Sequence, residues 1–170
     1  MNEGRDWCYW IYRFDISEGS ILGIRLVVNP IPGGGARGWQ RRARRYTASV
    51  RHPVDYALAR RAVLRDFRRG ALTRLDVCDA HPELVRAGRH IGEKTDRKCP
   101  ICEHHAVRMV SYVYGDGLKA ANGRCIATPV ELARLGESVD ELTCYVVEVC
   151  VDCGWNHLDH HYLLGRRHAG

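Results

Sequence analysis

The spacing of apolar residues changes along the chain, and the first clear pattern is helical. In "VDYALARRAVLRDFRRG", which ends at Gly70, apolar residues recur every three or four positions and predict an amphipathic helix. The next segment, "LTRLDVCDAHPELVRAGRHIG", predicts one or two short helices, with Thr73 or Asp79 as a cap and Pro82 in a first turn. The apolar face of the first helix consists of Tyr56, Ala59, Val63, Leu64 and Phe67.

A second pattern, typical of strands, begins after about residue 99. The segments "VRMVSYVYG" and "ELTCYVVEV" are rich in β-branched and aromatic residues, and "HLDHHYLLG" alternates more weakly, so we predict a strand in each. Between the first two, Thr128 and Glu131 have the spacing of a capping box and Pro129 suits a first helical turn, which predicts an inserted helix. The charged run Glu93–Lys98 is interpreted as a connector.

These elements predict an α+β fold. We expect short N-terminal helices from about Pro53 to Ile91, packed beside a three-stranded antiparallel zinc ribbon from Cys99 to Gly165 with one inserted helix. The chain would then divide into a helical segment at 50–92 and a zinc-ribbon domain at 99–165.

Residues 1–49 have a different composition from the rest of the chain. They contain 7 of the 17 glycines and a Pro- and Gly-rich tract at 29–35, and no helical or strand period persists in them. One interpretation is a disordered basic tail. The alternatives are a nucleic-acid-binding arm around Arg41–Arg45 and a segment that is not really part of the protein.

The net charge of +6 is concentrated in one region. Of the 26 Lys and Arg residues, 11 lie between Arg37 and Arg69, where the acids are Asp55 and Asp66. Only three of the 26 are lysine, a bias that a GC-rich coding genome explains at least as well as phosphate binding. A solvated helix face is the common explanation for such arginines. The candidate nucleic-acid-binding residues are Arg60, Arg61, Arg65, Arg68 and Arg69.

The chain contains eight cysteines and starts with charged residues where a secretory signal would need an apolar block. Reduced thiols and a metal site therefore explain the cysteines better than a disulfide framework. The longest apolar run of the chain is much shorter than the roughly 20 residues that span a bilayer. We expect a cytoplasmic protein that does not bind a membrane.

Two Cys-x-x-Cys pairs predict the metal site. Cys99 and Cys102 form the first pair, and Cys150 and Cys153 form the second, which is followed by a glycine that can adopt the positive φ of a tight turn. The 47 residues between the pairs exceed the usual 15 to 20, but two strands and the inserted helix would occupy the excess. Four thiolates predict one structural zinc per chain, and a rubredoxin-like iron site uses the same ligands.

Other candidate ligands and catalytic residues are weaker. Cys78 and His81 have ligand spacing, so a second metal stays open beside the simpler interpretation of a partly buried thiol and a helix-start histidine. The sequence contains no nucleophile elbow, phosphate loop or HExxH helix, so we expect no catalytic activity and no small-molecule substrate. An enzyme of unknown reaction would need a pocket lined by His81, His104 or His157.

These predictions favour a non-catalytic module that docks on a macromolecular assembly, in the transcription or translation apparatus, through an unidentified protein partner. This hypothesis is an analogy from the fold. The expected docking residues are the aromatics Tyr112, Tyr114 and Trp155. The alternative is a basic nucleic-acid-binding protein that uses the arginine-rich helix.

Five motifs, in this order, resemble a known family: "VDYALARRAVL", "DVCDAHPELVRAG", "CPIC", "YVYGDGL" and "VVEVCVDCGWNHL". The chain resembles an actinobacterial family of small proteins, classed as a domain of unknown function, with a zinc-ribbon-like C-terminal half. The resemblance covers about Val50 to Gly165 and implies no activity. It also implies that residues 1–49 have no counterpart, because family members tend to begin just before the first helix; Val50 would then be an alternative start. The metal ligands that it implies are Cys99, Cys102, Cys150 and Cys153.

Overall fold

The computed structural model describes residues 20–21, 24–25 and 50–166 of the chain. Two short strands, β1 (Ser20–Ile21) and β2 (Ile24–Arg25), pair with each other in antiparallel orientation. For residues 1–49 the sequence predicts a disordered basic tail, a nucleic-acid-binding arm or a segment that is not part of the protein. Apart from the two short strands, these residues lie outside the part of the chain that the structure describes.

One six-stranded antiparallel sheet forms the centre of the protein, in the order β3-β8-β7-β5-β4. β6 also pairs with β5, along the same edge as β4: β4 pairs with β5 as far as Met109, and β6 pairs with the next part of β5, from Ser111 to Val113. The strands are β3 (Arg51–Asp55), β4 (Glu93–Lys98), β5 (Ala106–Tyr114), β6 (Arg124–Ile126), β7 (Leu142–Val149) and β8 (Asn156–Leu164).

The prediction of a three-stranded ribbon is wrong, although the α+β class is compatible with the structure. The predicted strands are the central β5, β7 and β8, and three further strands extend the sheet. β4, whose sequence predicts a connector, is an exposed edge strand, so it needs no apolar alternation. β3 contains Pro53, which a sheet tolerates at its edge, and β6 has only three residues.

Within residues 50–166, four α-helices flank the sheet. Thr73 caps the second with the full capping box, and Thr128 Oγ accepts a 3.2 Å hydrogen bond from Glu131 N at the start of the fourth, so both predicted caps are confirmed. Asp79 is not a cap, because His81 occupies that position in the third helix. The helices are α1 (Ala57–Arg68), α2 (Arg74–Val77), α3 (Pro82–His90) and α4 (Pro129–Ser138), with a 3₁₀ helix at Asp116–Ala121.

Helices α3 and α4 lie on opposite faces of the sheet. Side chains alternate along β5, so Met109 and Val113 pack with α4 on one face while Val110 packs with α3 on the other. Helix α3 lies close against the sheet. A Cβ on its Gly88 would lie 2.9 Å from Val149 Cγ1 of β7, so this helical position has no room for a side chain. None of the helices described is long and apolar enough to cross a membrane.

Three groups of buried side chains form the core. The α4 cluster is built around Leu132, Leu142, Cys144, Tyr162 and Leu164. The α3 cluster is built around Leu84, Val110, Tyr112, Val147 and Leu158. The metal-end cluster joins α1 and α2 to the cysteine pairs through Leu64, Val77, Cys99, Val107, Cys150 and Trp155.

Candidate metal centre

The two Cys-x-x-Cys pairs lie in two turns at the same end of the sheet. The first turn connects β4 to β5 and the second connects β7 to β8, and β5 pairs directly with β7. The four cysteine Sγ atoms all lie within 4.8 Å of one another. Cys99 and Cys150 are completely buried, whereas Cys102 and Cys153 are half-buried. The structure therefore places four cysteines where they could hold a metal ion.

The two turns have similar backbone hydrogen bonds, although the first is one residue longer. In the first, Cys99 N donates to His105 O at 2.8 Å and Glu103 N donates to Cys99 O at 3.0 Å. In the second, Cys150 N donates to Trp155 O at 2.8 Å and Gly154 N donates to Cys150 O at 3.1 Å.

The residue four positions after each first cysteine has a positive φ, 58° at Glu103 and 81° at Gly154. The expected role of Gly154 in the tight turn is confirmed, and the first turn achieves the same shape with a non-glycine residue.

The four sulfurs lie close together and none is in a disulfide. Cys99 Sγ is 3.5 Å from Cys153 Sγ, and Cys102 Sγ is 3.7 Å from Cys150 Sγ. Burial raises the pKa of Cys99 to about 11. Burial also acts to raise the pKa of Cys102, but backbone hydrogen bonds from His104 and His105 outweigh it and lower that pKa to about 7. A cation bound among the four sulfurs would hold them all as thiolates.

This donor set fits a soft, tetrahedrally coordinated metal. Four sulfur ligands from two turns leave no coordination position open, so an ion held here would activate no water molecule. Two of the ligands are completely buried, which separates the site further from solvent. The four cysteines could therefore hold a metal ion in a closed site.

The other proposed ligands do not extend this site. Within residues 50–166, the four cysteines are the only group of three or more potential ligands placed to hold a metal. His81 Nδ1 instead accepts a hydrogen bond from Glu83 N at 3.3 Å as the cap of α3. Cys78 packs against the cysteine turns. His104 is exposed, and His157 is buried with its ring stacked 6.1 Å from that of Trp155. The three histidines of the enzyme hypothesis therefore lie in different environments.

The structure separates the five candidate nucleic-acid-binding arginines into two groups. Arg60 turns inward, where its Nη2 lies 2.8 Å from Glu148 Oε1 and its guanidinium lies over the ring of Trp155. The other four are exposed on and after α1: Arg61, Arg65, Arg68 and Arg69.

The three aromatic residues predicted to form a docking surface are less exposed than expected. Tyr112 and Trp155 are buried in the core, with 1% and 0% of their surface exposed. Tyr114 is half-buried. The prediction that these three rings form an exposed docking surface is therefore wrong for two of them.

A buried carboxylate beside the metal site was missed by the sequence patterns. Glu148, two residues before Cys150, is 0% exposed and lies between two arginines. Its Oε1 accepts hydrogen bonds from Arg60 Nη2 at 2.8 Å and Trp155 Nε1 at 2.7 Å. Its Oε2 lies 3.1 Å from Arg97 Nη2, an ion pair that is not aligned as a hydrogen bond. The sequence does contain one indication, a single acid inside the apolar run "VVEVCV".

This network connects the elements that carry the cysteines. Arg97 lies on β4 two residues before Cys99, Glu148 lies on β7, and Trp155 follows the second turn. Arg60 adds α1. A network with these members holds both cysteine turns and the first helix in one arrangement, because a buried carboxylate needs its charged partners.

Fold and site together define an α+β protein whose antiparallel sheet carries, at one end, a four-cysteine group that could hold a metal ion. The chain belongs to DUF5318, a family of unknown function whose profile matches residues 47–170. The resemblance to an actinobacterial family of this kind is therefore confirmed.

Among similar proteins are uncharacterised proteins of Mycobacterium bovis and of two strains of Mycobacterium tuberculosis. Each is 40% identical over 112 residues, which cover 66% of this chain and 81% of the relative. No solved structure matches the chain.

Proposed function

We propose that this protein is a zinc-binding module in which the metal is structural, and that it binds a macromolecular partner without catalysing a reaction. The observation that carries the proposal is the convergence of four cysteine sulfurs within 4.8 Å of one another, from two turns with similar backbone hydrogen bonds. Such a site is typical of zinc that stabilises a fold.

Zinc is favoured by the chemistry of the donors. Four thiolates in a closed tetrahedron suit zinc, and iron is the alternative with the same ligands. Structural zinc contributes on the order of 10 kcal/mol of apparent binding free energy. This contribution matters here because the completely buried Cys99 and Cys150 are themselves part of the metal-end cluster, so metal binding and core packing at this end are linked.

Elemental analysis of the full chain, purified under reducing conditions, tests the metal. We expect close to one zinc per chain, and we expect Cys102→Ser to lose it. Cys144→Ser is the matched control, because Cys144 is a buried thiol on β7 outside the four-cysteine group. A protein with no metal, or one in which iron replaces zinc, would refute the zinc proposal.

The exposed outer surface around α1 is the docking surface that we propose. Leu58 is 49% exposed and Val54, just before it on β3, is 41% exposed, and both are large apolar residues for solvent-facing positions. The partner would be a protein of the transcription or translation apparatus. Cross-linking from a residue placed at position 58, compared with position 130 on α4, would test this, since Val130 is also exposed at 60%. Equal cross-linking from both positions would contradict the proposal.

A nucleic-acid partner is the second candidate, and the exposure of four arginines on and after α1 favours it. Asp66, which pairs with Arg65 at 3.1 Å, is the acid within this helix. Phosphate binding should weaken steeply as salt rises. We would measure binding to single- and double-stranded oligonucleotides across a salt series. Arg68→Gln should weaken it and Arg134→Gln, an exposed arginine of α4, should not; binding that ignores both salt and Arg68 would exclude this candidate.

A further inference from the structure

A fifth thiol lies against the four-cysteine group. Cys78, at the end of α2, is half-buried and packs in the metal-end cluster with the cysteines of both turns. Burial raises the pKa of this thiol, and its neighbours Cys153 and Arg74 act against that rise. The candidate metal site therefore has one more sulfur beside it than tetrahedral coordination can use.

The position of Cys78 is fixed by the segment that follows it. Ala80 N donates to Gly154 O at 3.0 Å, and Asn156 Nδ2 donates to Asp79 Oδ1 at 2.9 Å. A Cβ on Gly154 would lie 3.0 Å from the carbonyl oxygen of Cys78, so the two backbones are in close contact. These contacts hold the segment 78–80 against the second cysteine turn.

The four cysteines differ in their exposure to a reagent from solvent. Cys99 and Cys150 are completely buried, whereas Cys102 and Cys153 are half-buried. Cys153 thus combines partial exposure with a neighbouring thiol that is not one of the four. An accessible sulfur with a second thiol beside it is the usual arrangement in a redox-sensitive cysteine pair.

We propose that Cys78 and Cys153 form a reversible disulfide when the protein reacts with a hydroperoxide, and that the four-cysteine site then loses its metal. This inference rests on the proposed zinc site. Removal of Cys153 leaves three thiolates, which no longer close a tetrahedron around the ion.

The reaction balances in two steps. The Cys153 thiolate attacks one oxygen of hydrogen peroxide, the O–O bond breaks, and Cys153 becomes a sulfenic acid while the other oxygen leaves as hydroxide and takes up a proton to form water. The Cys78 thiol then attacks the sulfenic sulfur, loses its proton and expels water as the S–S bond forms. Two thiols are oxidised to one disulfide, and one peroxide is reduced to two waters. A dithiol reductant restores both cysteines.

Peroxide treatment of the reduced, metal-analysed full chain tests the inference. We expect release of the bound zinc, measured with a chromogenic chelator, together with a mass loss of about 2 Da for one disulfide. Peptide mapping after alkylation should join Cys78 to Cys153. Reduction in the presence of zinc should return both the mass and the metal.

Two variants give the comparison. Cys78→Ser keeps the four cysteines, so it should bind zinc but form no such disulfide, and any disulfide of its Cys153 should join Cys99, whose sulfur lies 3.5 Å away. Cys125→Ser is the matched control, because it removes another half-buried thiol, on β6, and should behave as the unmodified chain does.

The outcomes separate this inference from the zinc proposal. A starting sample without zinc refutes the metal proposal, and peptide mapping of that sample still decides whether Cys78 and Cys153 pair. A zinc-loaded sample whose disulfides join Cys99 to Cys153 and Cys102 to Cys150, or in which Cys78→Ser changes nothing, overturns the inference about Cys78 alone.

Discussion

The two ends of the central sheet are held together by different interactions. At one end, the buried carboxylate of Glu148 pairs with Arg60 of α1, and the completely buried Cys99 and Cys150 belong to the metal-end cluster. At the other end of the same strands, Leu142 and Leu164 pack with Leu132 of α4 in a cluster of buried apolar side chains. Each such leucine contributes roughly 1.5–3 kcal/mol by burial. Burial is thus the main stabilising contribution at the α4 end, whereas the metal end adds a buried ion-pair network and, under the zinc proposal, four metal ligands.

Metal removal should separate the two ends most strongly. A chelator, or Cys150→Ser, removes a contribution on the order of 10 kcal/mol from the metal end. Hydrogen exchange should therefore speed up at 99–107 and 150–158 before it does at 142–146, which packs with α4. The control is Cys144→Ala, which lies on the same strand but outside the four-cysteine group. Uniform loss of protection along all of β7 would contradict two separately stabilised ends.

The buried carboxylate offers the next largest effect. Glu148→Ala should lower the free energy of unfolding by about 3 kcal/mol, because it leaves Arg60 and the Trp155 N–H without their partner. Urea unfolding measures this change. Glu137→Ala is the control, since Glu137 is exposed on α4. A cost as small as that of the control would mean that the network does not hold the metal end.

Sequence patterns predicted the two ends unequally well. The helix that begins at Pro129 and the strands that it covers follow from capping and apolar spacing, because an end built by burial has a burial pattern. The cysteine pairs were also predicted, since ligand spacing is local in the chain.

Three other features of the fold have no such local pattern. β4 lies on an exposed edge and is charged, so nothing distinguishes it from a loop. Glu148 joins Arg60 across 88 residues, and a pairing at that separation leaves no periodic trace. Tyr112 and Trp155, with their polar tips, resemble exposed docking residues in sequence although both lie in the core.

The α4 end gives the converse test. Leu132 is 1% exposed, so Leu132→Ala should cost about 2–5 kcal/mol through lost burial and the cavity that it leaves. Its metal content should stay unchanged, which is the opposite of the expectation for Cys150→Ser. Val130→Ala, on the exposed side of the same helix, should change stability by no more than about 0.5 kcal/mol. Loss of metal from the Leu132 variant would show that the two ends are coupled.

The smallest effect that we predict is a dependence on pH at His161, which lies on β8 toward the α4 end. Its Nδ1 lies 3.1 Å from the Tyr56 hydroxyl, its ring is 5.3 Å from that of Tyr145, and His160 is its neighbour on the strand. Burial, with a smaller contribution from the charge of His160, lowers the pKa of His161 below its ordinary value.

The folded protein therefore binds this proton less readily than the unfolded chain does. Above the unfolded pKa, about 6.5, both states are neutral at His161 and no stability is lost. As the pH falls below that value, the unfolded chain becomes protonated first, so the free energy of unfolding decreases until the folded pKa is passed. Urea unfolding between about pH 7 and 5 should show this slope, and His161→Gln should reduce it. His90→Gln, at the exposed end of α3, should leave the slope unchanged; a slope that survives in the His161 variant would assign the dependence to other groups.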